Sequence, residues 1–176
     1  VELEAELART EPDPEIQDLL RASAGLNIAL DYLPGSVMFD PVAITPDAQL
    51  ASDIVWFDAF VSNVDRTARN TNLLVWHRRI QLIDHGAALY FHHAWSSDYL
   101  QRSRDPFAKI KDHVLLRYAD SIPSADDRLS ARLTAGLIRD IVAQVPDAWL
   151  GHEPLFASTR EQREAYVEYL LRRLES

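Results

Sequence analysis

Between Asn70 and Asp84 the chain carries two short runs of β-type residues, Leu73–Trp76 and Ile80–Ile83, separated only by His77-Arg78-Arg79. Runs this short and this close predict an antiparallel hairpin. A hairpin brings its two ends together, so Asn70 and Asp84 fall at the same end. Upstream, Leu50, Ile54, Phe57, Val61 and Val64 recur at steps of four and three, the stripe of a helix packed into a core, and this helix delivers Asp65 at its end. Asp65, Asn70 and Asp84 therefore stand at the ends of apolar runs. There they can be solvated and can bind ligands, whereas unpaired within an apolar run they would be strongly destabilising.

The flanks are read by the same rules. VELEAEL at the start fits a short edge strand or a helix. Asp13-Pro14 forms an N-cap and first helical position, predicting a helix over 14–22 with Ile16, Leu19 and Leu20 on one face. Leu26, Ile28, Leu30 and Tyr32 alternate, predicting a strand over Gly25–Leu33 that Pro34-Gly35 ends. The segment to Asp47, with Pro41 and Pro46, reads as a connection. After Tyr90 a polar irregular stretch leads to Pro106, which starts a helix bearing Phe107, Ile110, Val114, Leu115 and Tyr118. Leu129, Leu133, Leu137, Ile141 and Val145 predict one long helix stopped by Pro146. A last helix covers Arg160–Glu175, with Val167, Leu170, Leu171 and Leu174 inward. A little sheet followed by a helical body is an α+β pattern, predominantly α-helical.

Charge and composition remove whole classes of function. A net charge of -9 and a pI near 5.0 disfavour the clustered cations that a nucleic-acid backbone requires, so no direct nucleic-acid partner is expected. The absence of cysteine excludes disulfides, thiolate catalysis and cysteine-bound zinc. No apolar run reaches the roughly 18 residues of a membrane span, and VELEAELART has neither the basic start nor the apolar middle of a signal peptide. A soluble, cytoplasmic protein with no membrane partner is the expectation.

The spacing of the central residues is the most informative feature. Asp65 is followed five positions on by Asn70, then by the hairpin, then by Asp84 with Gly86 two beyond. NVDRTARNTNLL with LIDHG resembles the catalytic loop and metal-binding turn of HipA-like kinases and phosphatidylinositol kinases, in which Asp-Arg replaces the His-Arg-Asp order of common protein kinases. The resemblance covers about residues 25 to 90 and implies a protein-kinase-like C-terminal lobe. It further implies phosphoryl transfer from ATP, with Mg²⁺, to the hydroxyl of a substrate, a protein Ser or Thr being the first expectation. On it, Asp65 accepts or orients the hydroxyl, and Arg66 pairs with a phosphate or steadies the loop. Asn70 and Asp84 hold the metal, with Asn72 an alternative to Asn70, and Gly86 lets the backbone turn tightly at the nucleotide. LDYLPGS, Leu30 to Ser36, is similar to the hinge between kinase lobes, making Asp31 and Leu33 backbone contacts to adenine. The domain reading is 1–33 as the end of an N-terminal lobe and hinge, and 34–176 as a helical C-terminal lobe.

The departures bear on activity. Such kinases use a lysine on an early strand and a glycine-rich loop over the phosphates, yet the lysines here are Lys109 and Lys111, and before Asp65 the only glycines are Gly25 and Gly35. The phosphate-clamping part of an N-lobe is therefore expected to be missing and the isolated chain inactive. A non-catalytic, kinase-derived binding module, with a protein partner, is the alternative. A metal-dependent hydrolase using His85, His92 and His93 is a third reading, set against the tendency of adjacent side chains on an extended segment to point apart.

Overall fold

A computed structural model of the chain describes residues 1–151 and 153–176. They form two compact units, Val1–Pro34 and Gly35–Ser176. In the first, both readings of the opening are realised in turn. Strand β1 (Glu2–Leu3) is followed by a 3₁₀ segment, Ala5–Thr10, and by α1 (Pro14–Ala22). Asp13 caps α1 by accepting from the Glu15 N–H at 2.8 Å. The strand expected over Gly25–Leu33 shortens to β2 (Gly25–Leu26), paired with β1. A strand continues only where a neighbour supplies a ladder, and β1 offers two residues; beyond Leu26 the chain is irregular and Ile28, Leu30 and Tyr32 are exposed.

The second unit is built on a three-stranded antiparallel sheet, β3 (Val37–Met38), β4 (Leu73–Trp76) and β5 (Arg79–Leu82), with β4 in the middle. The hairpin forms with Leu73 opposite Leu82 and Trp76 opposite Arg79. Its loop is only His77-Arg78, both at positive φ (48° and 62°), the backbone of a type I′ turn that matches strand twist. Strand β3 falls in the segment read as a connection. Two residues flanked by prolines leave no periodicity to detect, and it forms because β4 presents a free edge to Val37 and Met38.

Helix α2 (Ala48–Phe60) carries the core. Asp47 caps it by accepting from the Leu50 N–H at 2.9 Å. Its buried residues are Ala51, Ser52, Ile54, Val55 and Asp58, while Leu50 and Phe57 remain partly exposed. The buried face is thus rotated from the expected stripe, because the helix is apolar on nearly every side and packing chooses among faces. It also stops at Phe60, five residues short of Asp65. Phe39, Ala51, Ile54, Val55, Leu73, Val114 and Leu115 form the core cluster, joining sheet, helix and the segment near residue 114.

The helical body is more broken than the periodicity predicts. After the short α3 (Tyr99–Arg102), Pro106 starts no α-helix: Val114 and Leu115 are buried between 3₁₀ turns at Ala108–Asp112 and Leu116–Tyr118. The expected long helix is two, α4 (Ile122–Arg132) and α5 (Ala135–Ala143). Thr134 separates them by accepting from the Leu137 N–H at 3.2 Å, a cap that begins a new helix in a new direction. Asp126, within α4, accepts from Trp56 Nε1 at 2.7 Å. Helix α6 (Thr159–Leu174) buries Gln162, Ala165 and Tyr169, with Val167, Leu170, Leu171 and Leu174 half-buried beside them. Among the described residues no helix is long and apolar enough to cross a membrane.

Candidate functional site

The loop between α2 and β4 is anchored from beneath. Asp58, on the last buried turn of α2, accepts from Arg66 Nε at 2.5 Å, from Asn63 Nδ2 at 3.0 Å and from His113 Nε2 at 2.9 Å. His113 Nδ1 accepts from the Leu115 N–H at 3.0 Å, so the ring carries its proton on Nε2 and donates it to Asp58. Burial pushes the Asp58 carboxyl up, but the His113 hydrogen bond, the Arg66 charge and bond, and the Asn63 amide together hold it below the usual carboxylate range. A buried carboxylate so enclosed stays ionised and fixes the loop above it.

Arg66 is 1% exposed. Its Nη1 donates to the Asn72 carbonyl, and its own carbonyl accepts from the Val114 N–H at 3.1 Å. Of the two roles expected for it, steadying the loop is the one this position allows; a guanidinium sealed in the interior has no path to a phosphate.

The polar residues gather above this anchor. Asp65 Oδ2 accepts from Asn70 Nδ2 at 2.8 Å and from Asn72 Nδ2 at 3.3 Å. The Asn72 amide also reaches the Asp84 carbonyl at 3.4 Å. Asn72 O accepts from the Ile83 N–H at 3.1 Å, extending the hairpin ladder by one rung and fixing the spacing of Asn70 and Asp84. Asn72 is 5% exposed, whereas Asn70 and Asp84 are exposed. Asn72 thus braces, and Asn70 presents its remaining amide oxygen outward.

At Asp84 the backbone is left-handed, φ 49°, and the side chain accepts from the Gly86 N–H at 3.3 Å through Oδ1. The tight turn expected of Gly86 is made by Asp84 itself, since the positive-φ glycines are Gly25 and Gly35. A Cβ at Gly86 would meet Asp84 Oδ1 at 3.4 Å, an ordinary contact. His85 is exposed, its ring edge-on to Phe57. Asp31 and Leu33 lie in the first unit, in its irregular stretch after β2.

The donor set suits a hard cation. Carboxylate and amide oxygens are what Mg²⁺ selects, and it is held by one or two carboxylates together with substrate phosphates, not by a full protein cage. Among the described residues no three His, Asp or Glu side chains gather around one point. His85, His92 and His93 therefore do not share one centre. Sequence reasoning missed Asp58, His113 and Asn63. The signal for Asp58 was present: it sits four positions after Ile54, on the face that packs inward, where a carboxylate requires partners.

A mostly helical α+β domain whose hairpin end gathers carboxylate and amide oxygens is the class that fold and site define. Among known families, the model described as HipA-like kinase matches residues 14–176, and the chain belongs to the HipA-like kinase family. No curated protein and no solved structure matches it.

Proposed function

We propose that the chain contributes the hydroxyl-orienting and metal-holding part of a kinase site that moves the γ-phosphoryl group of ATP to a hydroxyl, with a protein Ser or Thr as first candidate. The observation that carries this is the joined set Asp65–Asn70–Asn72–Asp84, set on one end of one hairpin in a HipA-like kinase. Asn70 and Asp84 would hold Mg²⁺, which supplies charge neutralisation on the phosphates when bound. Asp65 spends Oδ2 on two amides, which fixes its plane and leaves Oδ1 to accept the substrate's O–H proton. As the hydroxyl oxygen bonds to phosphorus, the bond from phosphorus to the β–γ bridging oxygen breaks and ADP leaves. Arg66 and Asp58 position Asp65 from below and touch no substrate.

The test is Mg-ATP binding by calorimetry and phosphorylation of Ser/Thr peptides by the chain joined to a lysine-bearing, phosphate-clamping N-lobe, compared with Asp65→Asn and Asp84→Ala. Loss of transfer in Asp65→Asn with nucleotide binding kept, and loss of both in Asp84→Ala, supports the reading. Equal transfer by both variants and the parent refutes it. The placement of Lys109 favours a second reading, a non-catalytic module: it lines a cavity of about 350 Å³ with Ser62, Val64, Tyr90 and Phe107, whose lining includes none of Asp65, Asn70, Asn72 and Asp84. Nucleotide binding with no transfer to any hydroxyl would select that reading.

A further inference from the structure

We propose that His92 and His93 bind a transition-metal dication, with water completing its shell. On an extended segment adjacent side chains would diverge. These two lie instead in the 3₁₀ turn Tyr90–Ala94, whose three residues per turn bring successive side chains nearer to one side. Their Nε2 atoms are 3.2 Å apart. A tetrahedral ion with metal–nitrogen bonds of about 2.0–2.1 Å spans two nitrogens ~3.3 Å apart.

Without a metal the two nitrogens stand at hydrogen-bond distance, one ring donating to the other, and a dication would take the place of that shared proton. The centroids are 4.3 Å apart and the planes 83° from each other, so the rings meet edge to face. At the far side of His92, the Tyr166 hydroxyl is 3.1 Å from Nδ1. With the ring proton on Nδ1 donated to that oxygen, Nε2 keeps its lone pair, the arrangement by which ligating imidazoles are fixed through their second nitrogen. His92 is half-buried and His93 exposed, so an ion can reach both.

Two imidazoles favour borderline dications over Mg²⁺, with affinity rising towards Ni²⁺ and Cu²⁺. Among the described residues no third His, Asp or Glu completes a protein shell, so the site is an open one. It is separate from the oxygen donors Asn70 and Asp84 and does not depend on phosphoryl transfer.

Calorimetric titration of the chain with NiCl₂ tests it. One Ni²⁺ per chain is expected, undisturbed by millimolar Mg²⁺ and by Asp84→Ala. His92→Ala and His93→Ala each weaken binding at least tenfold, and Tyr166→Phe by about tenfold. In the unmutated chain, substoichiometric Ni²⁺ should broaden the ring signals of His92 and His93 before those of His77, His85 and His113. Absence of binding by the parent, undiminished binding by the double alanine variant, or broadening that begins at another histidine overturns the proposal.

Discussion

Asp58 and Arg66 form an ion pair whose side chains are both wholly buried, 2.5 Å from Oδ2 to Nε. Removing one partner strands the other charge in the interior. Asp58→Ala is therefore expected to lower the unfolding free energy by about 3–5 kcal/mol, measured by urea denaturation. A loss under 1 kcal/mol would mean that the loop does not depend on this anchor.

The same carboxyl sets a pH dependence. Its pKa in the fold is lowered, so its contribution is full above the unfolded value of about 3.9 and is lost as pH falls through the lower folded value. Denaturant midpoints measured from pH 7 downward should fall steeply below about pH 4, and the fall should be shallower in Asp58→Asn.

Asn70 and Asn72 separate stability from ligand binding. Asn72→Ala removes a buried amide that bridges Asp65 and the Asp84 carbonyl, and should cost about 1–3 kcal/mol. Asn70→Ala, at an exposed position, should leave the thermal midpoint nearly unchanged while weakening Mg-dependent nucleotide binding. Comparing the two by calorimetry and thermal melts decides which asparagine faces the metal.

The hairpin loop offers a gain. His77 and Arg78 both hold positive φ, which L-residues other than Asn and Gly adopt at a cost. The paired substitution His77→Asn with Arg78→Gly, which installs the dipeptide preferred in this turn type, should raise unfolding free energy by about 1 kcal/mol. An unchanged urea midpoint would show that this loop is not strained.

Thr134 ends one helix and begins the next. Thr134→Ala removes the hydroxyl that caps α5 and should cost about 1 kcal/mol, without moving the spectra of the hairpin end.

The hairpin, with Asn70 and Asp84 at one end of it, was legible because it rests on a local rule, two short β-type runs a few residues apart, whereas the helix expected to reach Asp65 ends at Phe60. What was not legible depends on choices made by distant partners. The face that α2 buries is fixed by Leu73, Val114 and Leu115, none of them its neighbours in sequence. The break at Thr134 was hidden because Leu133 and Leu137 keep helical spacing across it. His92 and His93 were read as extended, and the 3₁₀ turn that brings their rings together carries no period of its own. In the site, Asp58 and His113 lie 55 residues apart, and no local pattern links them.

The Asn72 carbonyl accepts from both Ile83 and Arg66, so one oxygen belongs at once to the strand ladder and to the buried ion pair. A register slip of one residue would turn Leu73 out of the core and carry Asp84 to the opposite face of the sheet. It would also deprive Arg66 of its acceptor. Misaligned strands and an assembled polar cluster are thus mutually exclusive, and the cluster forms only in chains that have already paired correctly.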